Sequence, residues 1–141
     1  MRFPGTLTRR GKFWILGIPA FDAKTQGRTK REALSMTEDL LETMVDAEGF
    51  KATAYATGPD SFEIEGNKTG VMIRLLLRRQ RERHGLKVAD VDERLGRKNA
   101  YAPYEYGCFK PTVEKLEQLL QAIAPELKLV LQIKLAPMVR R

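Results

Sequence analysis

Cysteine is all but missing from this chain: Cys108 is the only one in 141 residues. A lone thiol excludes an internal disulfide and the zinc patterns that need several cysteines, and it fits a reducing compartment where a free cysteine is simply a small apolar residue. Histidine is equally scarce, His84 standing alone. It lacks a second ligand at metal-binding spacing, and Ser35 and Ser61 have no histidine base nearby in sequence, so little room is left for a nucleophilic triad. Long apolar runs are absent too; none approaches the roughly 18 to 20 residues that cross a bilayer. The opening Met1-Arg2-Phe3-Pro4 goes straight into strand-like sequence without the apolar core of a leader. These absences lead us to expect no secretion, no membrane segment and a cytoplasmic location. Gly66-Asn67-Lys68-Thr69-Gly70 lacks the Gly-x-x-x-x-Gly-Lys-Ser/Thr spacing of a phosphate loop and reads as a linker and helix start. No cofactor is expected.

What the chain does have is apolar material and an uneven charge. At 43% hydrophobic content it can form one ordinary domain or two very small ones. The formal charge of +7 divides sharply at the Gly66-Asn67-Lys68 turn. Residues 1–67 carry 9 Lys and Arg against 10 Asp and Glu, a net −1, whereas residues 68–141 carry 16 against 8, a net +8. A field of that sign draws in polyanions, so nucleic acid is the first partner to consider for the second half, with a solvated basic face as the bland alternative.

In the first half, Arg2 to Arg9 and Lys12 to Ile18 read as two strands joined at Arg10-Gly11. Phe13-Trp14-Ile15-Leu16-Gly17-Ile18 is apolar on both alternate faces, which predicts a strand covered on both sides. The loop Pro19 to Gly27 has room for a short third strand. Thr29-Lys30-Arg31-Glu32 has the form of a capping box opening a helix. Ala33, Met36, Leu40, Met44 and Val45 then recur at helical intervals as an expected core stripe, and Gly49 stands where a left-handed cap belongs. Lys51 to Thr57 and Ser61 to Glu65, separated by Gly58-Pro59-Asp60, complete an α+β unit with one helix packed on a small sheet.

From Thr69 the period becomes helical. A helix is expected from Thr69 to His84-Gly85, a second from Val88 to Leu95, a third between Asn99 and Tyr106 closed by Gly107, and a fourth opened by Pro111-Thr112 and stopped by Pro125. Several short helices with glycine stops and strong positive charge suit a helix-turn-helix module. Leu127 to Lys134 is apolar and β-branched enough for a final strand that covers a sheet edge or pairs with a second subunit. The expected architecture is thus α+β, with domains at 1–67 and 68–141.

Leu77-Arg78-Arg79-Gln80-Arg81-Glu82-Arg83-His84-Gly85-Leu86-Lys87, then Glu93-Arg94-Leu95-Gly96, Tyr104-Glu105-Tyr106-Gly107 and Lys110-Pro111-Thr112-Val113-Glu114-Lys115-Leu116, resembles the Cro/repressor-type (XRE) helix-turn-helix family over about half of the chain. The resemblance implies that the leucines and the Tyr104-Glu105 pair build a helical core, and that a basic residue with proline follows the recognition helix. Asp92 replaces the family's small alanine, Val88 its phosphate-touching glutamine, and the recognition segment is about one residue short with Pro103 inside it. By position the resemblance implies DNA contacts from Arg97, Lys98, Asn99, Tyr101 and Lys110, with Arg78, Arg79 and Arg81 as further phosphate ligands. Asn suits adenine, and Arg or Lys suits guanine or phosphate.

The aromatic second strand, Ile18-Pro19-Ala20-Phe21, and Thr25-Gln26-Gly27-Arg28-Thr29-Lys30-Arg31-Glu32-Ala33 resemble the HicB antitoxin family, with Ala23-Lys24 in place of its usual Gly-Cys. Some HicB-like proteins also carry an XRE-type C-terminal domain. The resemblance implies a partial RNase H-like fold without catalytic carboxylates, a HicA-like ribonuclease toxin as partner, and operator DNA as the second partner, bound by a homodimer or higher even oligomer. A nuclease of that fold needs several carboxylates converging on metal ions. Only Asp22, Glu63 and Glu65 lie on or near the expected strands, and the alternation of the two glutamates with Phe62 and Ile64 is that of an ordinary half-exposed strand. His84 beside Gly85 reads as a helix-end group. No catalytic or metal-binding residue is therefore expected. The leading expectation is an antitoxin and autorepressor. A transcription regulator whose first half senses a small molecule or only dimerises comes next, and an RNA-binding or nuclease protein last.

Overall fold

The computed structural model describes residues 1–135. The fold is α+β, and the chain divides into two compact units after Met72, inside a helix and slightly beyond the break at residues 67 and 68. The sheet unit contains β1 (Arg2–Arg10), β2 (Phe13–Ile18), a 3-10 turn at Pro19–Phe21, β3 (Ala23–Gly27), α1 (Lys30–Val45), β4 (Ala52–Ala56) and β5 (Ser61–Gly66). Its strands are ordered β3-β2-β1-β5-β4, with antiparallel neighbours throughout.

Register follows burial. Leu7 pairs with Leu16, Phe3 with Ile64, and Ala54 with the same Ile64. Because side chains alternate along a strand, these pairings collect Phe3, Leu7, Leu16, Ile18, Ala52, Ala54, Phe62 and Ile64 on one face. α1 packs against β2, β3 and β4. It comes close to β3 because Gly27 has no side chain: a Cβ there would stand 2.6 Å from the Ala33 amide nitrogen. Phe21 closes the core, its ring centroid 4.7 Å from that of Phe3.

Thr29 caps α1 as expected, its Oγ1 accepting from the Glu32 amide at 3.0 Å. The core face is displaced from the expected stripe. Ala33, Leu34, Thr37 and Leu41 are buried, while Met36 is exposed and Leu40, Met44 and Val45 are half-buried. The buried Thr37 explains the shift, since its hydroxyl donates back to the Ala33 carbonyl at 2.9 Å and sits in the core without an unsatisfied group. Asp46, rather than Gly49, takes the left-handed position that ends the helix, a conformation its short polar side chain tolerates. The second face of β2 is not fully covered either: Phe13 is exposed and Ile15 half-buried.

The helical unit comprises most of α2 (Thr69–Arg83), then α3 (Val88–Arg94), α4 (Ala102–Glu105) and α5 (Val113–Ile123). Its core holds Leu75, Leu76, Leu77, Val91, Tyr101, Leu116, Leu119, Leu120 and Ile123. Gly85 ends α2 in the left-handed region, with the Leu86 amide returning to the Arg81 carbonyl. α4 is a single turn of four residues, well short of the expected span. The final strand expected at Leu127 to Lys134 is not formed. A strand exists only as part of a ladder, and among the described residues none lies alongside it. No helix among the described residues is long and apolar enough to cross a membrane.

Candidate nucleic-acid interface

The segment between α3 and α4 reverses direction through two left-handed residues, Gly96 (φ 92°) and Asn99 (φ 62°). Glycine adopts that conformation freely and asparagine better than most. The reversal pins Ala100 and Tyr101 in the core and turns Arg97, Lys98 and Asn99 outward. Arg97 and Lys98 line one concavity of about 350 Å³ together with Ala89, Asp92, Glu93 and Gly96.

Asp92 holds the far end of this turn. Its Oδ1 accepts from the amides of Tyr101 (2.7 Å) and Ala102 (3.2 Å), which satisfies the start of α4. Proline is tolerated at Pro103 because an amide in the first turn of a helix needs no intrahelical acceptor. Asp92 is therefore the group that builds the turn.

A second buried network locks α4 to α2. The Arg81 guanidinium donates to both Glu105 oxygens, at 2.7 and 2.9 Å, and to the Leu86 carbonyl at 2.9 Å. Tyr101 donates its hydroxyl to Glu105 at 2.6 Å. Hydrogen bonding to Glu105 raises the Arg81 pKa against the opposing effect of burial. Burial first, then the Glu105 bond and charge, push the Tyr101 hydroxyl far above its ordinary value. A bidentate charged pair with a third donor is a rigid brace.

These contacts redistribute the expected site residues. Arg97, Lys98 and Asn99 are adjacent and exposed, and Lys110 is exposed on the segment between α4 and α5. Tyr101 is 0% exposed, so its placement at the DNA surface is corrected: the helical core takes its ring. Arg81 is likewise corrected from phosphate ligand to brace, since its side chain is 14% exposed and committed to Glu105. Arg78 and Arg79 are half-buried on α2, with Arg79 3.4 Å from Glu82.

Sequence reasoning misses Glu105 as the brace's acceptor and Arg94 as the cap of α5, where its guanidinium donates to the Ala122 and Ile123 carbonyls at 3.2 and 2.9 Å. Neither pairing has a local signal, the partners being 24 to 29 positions apart. It also passes over Arg83 and Lys87, which are exposed. His84 sits at the end of α2, Nδ1 2.8 Å from the Gln80 carbonyl and Nε2 3.6 Å from Glu126.

Both carboxylates of β5 have partners. Arg2 lies 3.4 Å from Glu63 and 3.6 Å from Glu65, stacks 3.8 Å from the Tyr55 ring centre, and Tyr55 donates to Glu65 at 2.7 Å. Asp22 precedes β3, three strand spacings from β5, or about 14 Å along the sheet. The three acids do not converge. No protein-family model matches the chain, and no curated protein matches it either.

Proposed function

We propose that the protein is an antitoxin and autorepressor. Residues 1–67, taken as a partial RNase H-like fold, bind and block a HicA-like ribonuclease toxin. The helical half, taken as a helix-turn-helix domain, binds operator DNA as a homodimer. The observation that carries the DNA-binding part is the outward turn Arg97-Lys98-Asn99, held by the buried Asp92 carboxylate within the half of the chain whose net charge is +8. Two adjacent cations suit phosphate or guanine, and the neighbouring amide suits adenine. Presenting them on a braced turn avoids part of the entropy lost when flexible side chains are ordered on binding. Exposed Tyr106 and Phe109 just after α4 offer apolar surface for a thymine methyl.

The antitoxin part rests on the sequence resemblance of residues 18 to 33 and on the partnered carboxylates of β5. Its test is co-expression with the product of the adjacent small reading frame. The expected result is a soluble complex and restored growth; no complex and no rescue would reject it. A second reading, a regulator that senses a small molecule, is favoured by one observation. Thr6, Thr8, Arg10, Ile15, Gly17 and Lys24 line a concavity of about 390 Å³ on the sheet face away from α1. In that reading operator binding is indifferent to the neighbouring gene product.

A further inference from the structure

Residues 126–135, Glu-Leu-Lys-Leu-Val-Leu-Gln-Ile-Lys-Leu, alternate with period two. Leu127, Leu129, Leu131, Ile133 and Leu135 fall on one face of an extended chain, and Glu126, Lys128, Val130, Gln132 and Lys134 on the other. The apolar row starts half-buried at Leu127 and Leu129 and then runs into solvent: Leu131 is 63% exposed, Ile133 101% and Leu135 101%, with Val130 on the other face at 82%. So much contiguous apolar side chain facing water marks an interaction site.

We propose that this segment pairs antiparallel with the same segment of a second copy, about a two-fold axis through Val130. That register places Leu127 opposite Ile133 of the second copy and Leu129 opposite its Leu131. It also sets Glu126 against Lys134 and Lys128 against Gln132. Shifting the axis by one residue to Leu131 would oppose Lys128 to Lys134, and like charges directly opposite are unfavourable. The Val130 register instead makes two Glu–Lys pairs by symmetry. Glu126 lies at the surface, its side chain 71% exposed and 3.6 Å from His84 Nε2, so the pairing would exchange or share that contact.

An isolated two-stranded ribbon is marginal and needs a surface to lie on. Symmetry supplies one. Each copy's exposed Leu131 and Ile133 come to rest beside the other's half-buried Leu129 and Leu127, so the solvated end of one row lies where the other row meets its helical unit.

The sheet edges are poorer hosts. On β4 the Ala52 and Ala54 amides are already taken by Glu42 and Glu38 of α1, at 2.9 and 2.7 Å, which blunts that edge. β3 is only five residues long and would leave much of the apolar row unpaired. Two-fold pairing of a single segment is an isologous contact, which closes after two copies. It names the interface of the homodimer proposed above and so rests on the dimeric part of that reading, but not on its DNA-binding part.

The test uses the full chain. Light scattering at about 50 µM should give a mass twice the 16.1 kDa of one chain. The double variant Leu131→Lys/Ile133→Lys should run as a monomer with an unchanged helical circular dichroism spectrum, both positions being exposed. In a Cys108→Ser background, Val130→Cys should link to its own copy on oxidation with diamide, because opposed strand residues lie within disulfide reach at about 4.5 to 5.5 Å. Lys134→Cys should not, since the two copies of that position would be about 27 Å apart. A monomeric wild-type chain, a dimer that survives both lysines, or oxidative linkage of the Lys134→Cys variant without linkage of the Val130→Cys variant would each overturn the proposal. Salt-dependent DNA binding by a monomer would overturn the dimer while leaving the DNA-binding reading intact.

Discussion

The two units use their acids in different places. In the sheet unit the carboxylates work at the rim and the outer face: Glu38 and Glu42 close the β4 edge, and Glu63 and Glu65 are held by Arg2 and Tyr55. In the helical unit the decisive acids turn inward, Asp92 to cap α4 and Glu105 to neutralise Arg81, while Arg83, Lys87, Arg97, Lys98 and Lys110 stand outside. Placement adds to the difference in net charge, −1 for residues 1–67 and +8 for residues 68–141. Turning Asp92 and Glu105 inward takes two carboxylates off that surface, while Glu82, Glu93, Glu114, Glu117 and Glu126 remain exposed on it, outnumbered by cations. The same residue types thus brace strands in one unit and a helical turn in the other.

The contrast between the units breaks most readily at its buried anchors. Phe62→Ala, which hollows the sheet core, and Glu105→Ala, which strands the Arg81 charge, should each cost about 3 to 5 kcal/mol in urea unfolding. A cost near zero for Glu105→Ala would show that the brace does not hold α4. Asp92→Ala should cost about 1 to 3 kcal/mol, since two amides at the start of α4 lose their acceptor. It should also weaken DNA binding although Asp92 is itself an anion, a sign opposite to that of simple charge removal.

Alkaline titration probes the core of the helical unit. Tyr101 keeps its proton in the fold to higher pH than in the unfolded chain. Its contribution is therefore full below the unfolded pKa of about 10, and stability falls above it by at most about 1.4 kcal/mol per pH unit. Tyr101→Phe should abolish that dependence, read from unfolding midpoints between pH 9 and 11. The smallest effect belongs to the sheet unit's helix: Thr29→Ala should cost about 1 kcal/mol by loss of the α1 cap.

Local chemistry explains what is legible in the sequence. The succession of strands and helix along the chain, the Thr29 cap and the glycine that ends α2 all arise from neighbours within a few residues of one another, whereas the pairing of β1 with β5 joins residues about 60 positions apart. Pattern alone misplaces the α1 stripe because Thr37 is polar by type, yet buried once its hydroxyl bonds back to Ala33. Tyr101 reads as a surface residue for a similar reason: a hydroxyl counts as polar until a partner such as Glu105 is found in the core. Arg81 reads as one more cation in an arginine-rich run, and only the fold brings Glu105 to it. Leu127 to Lys134 has the alternation of a strand, but alternation states which faces exist and not which neighbour supplies the ladder.

The central claim, that the α3–α4 turn meets a nucleic-acid backbone, is tested most directly by the salt dependence of duplex DNA binding in wild type and in Arg97→Ala/Lys98→Ala. Fluorescence anisotropy between 50 and 300 mM salt should show wild-type affinity falling linearly on a log–log plot. The double variant should lower that slope by about 1.8 per chain, or 0.9 for each phosphate left without its cation, while the helical signal stays the same. An unchanged slope, or wild-type affinity insensitive to salt, would contradict the account.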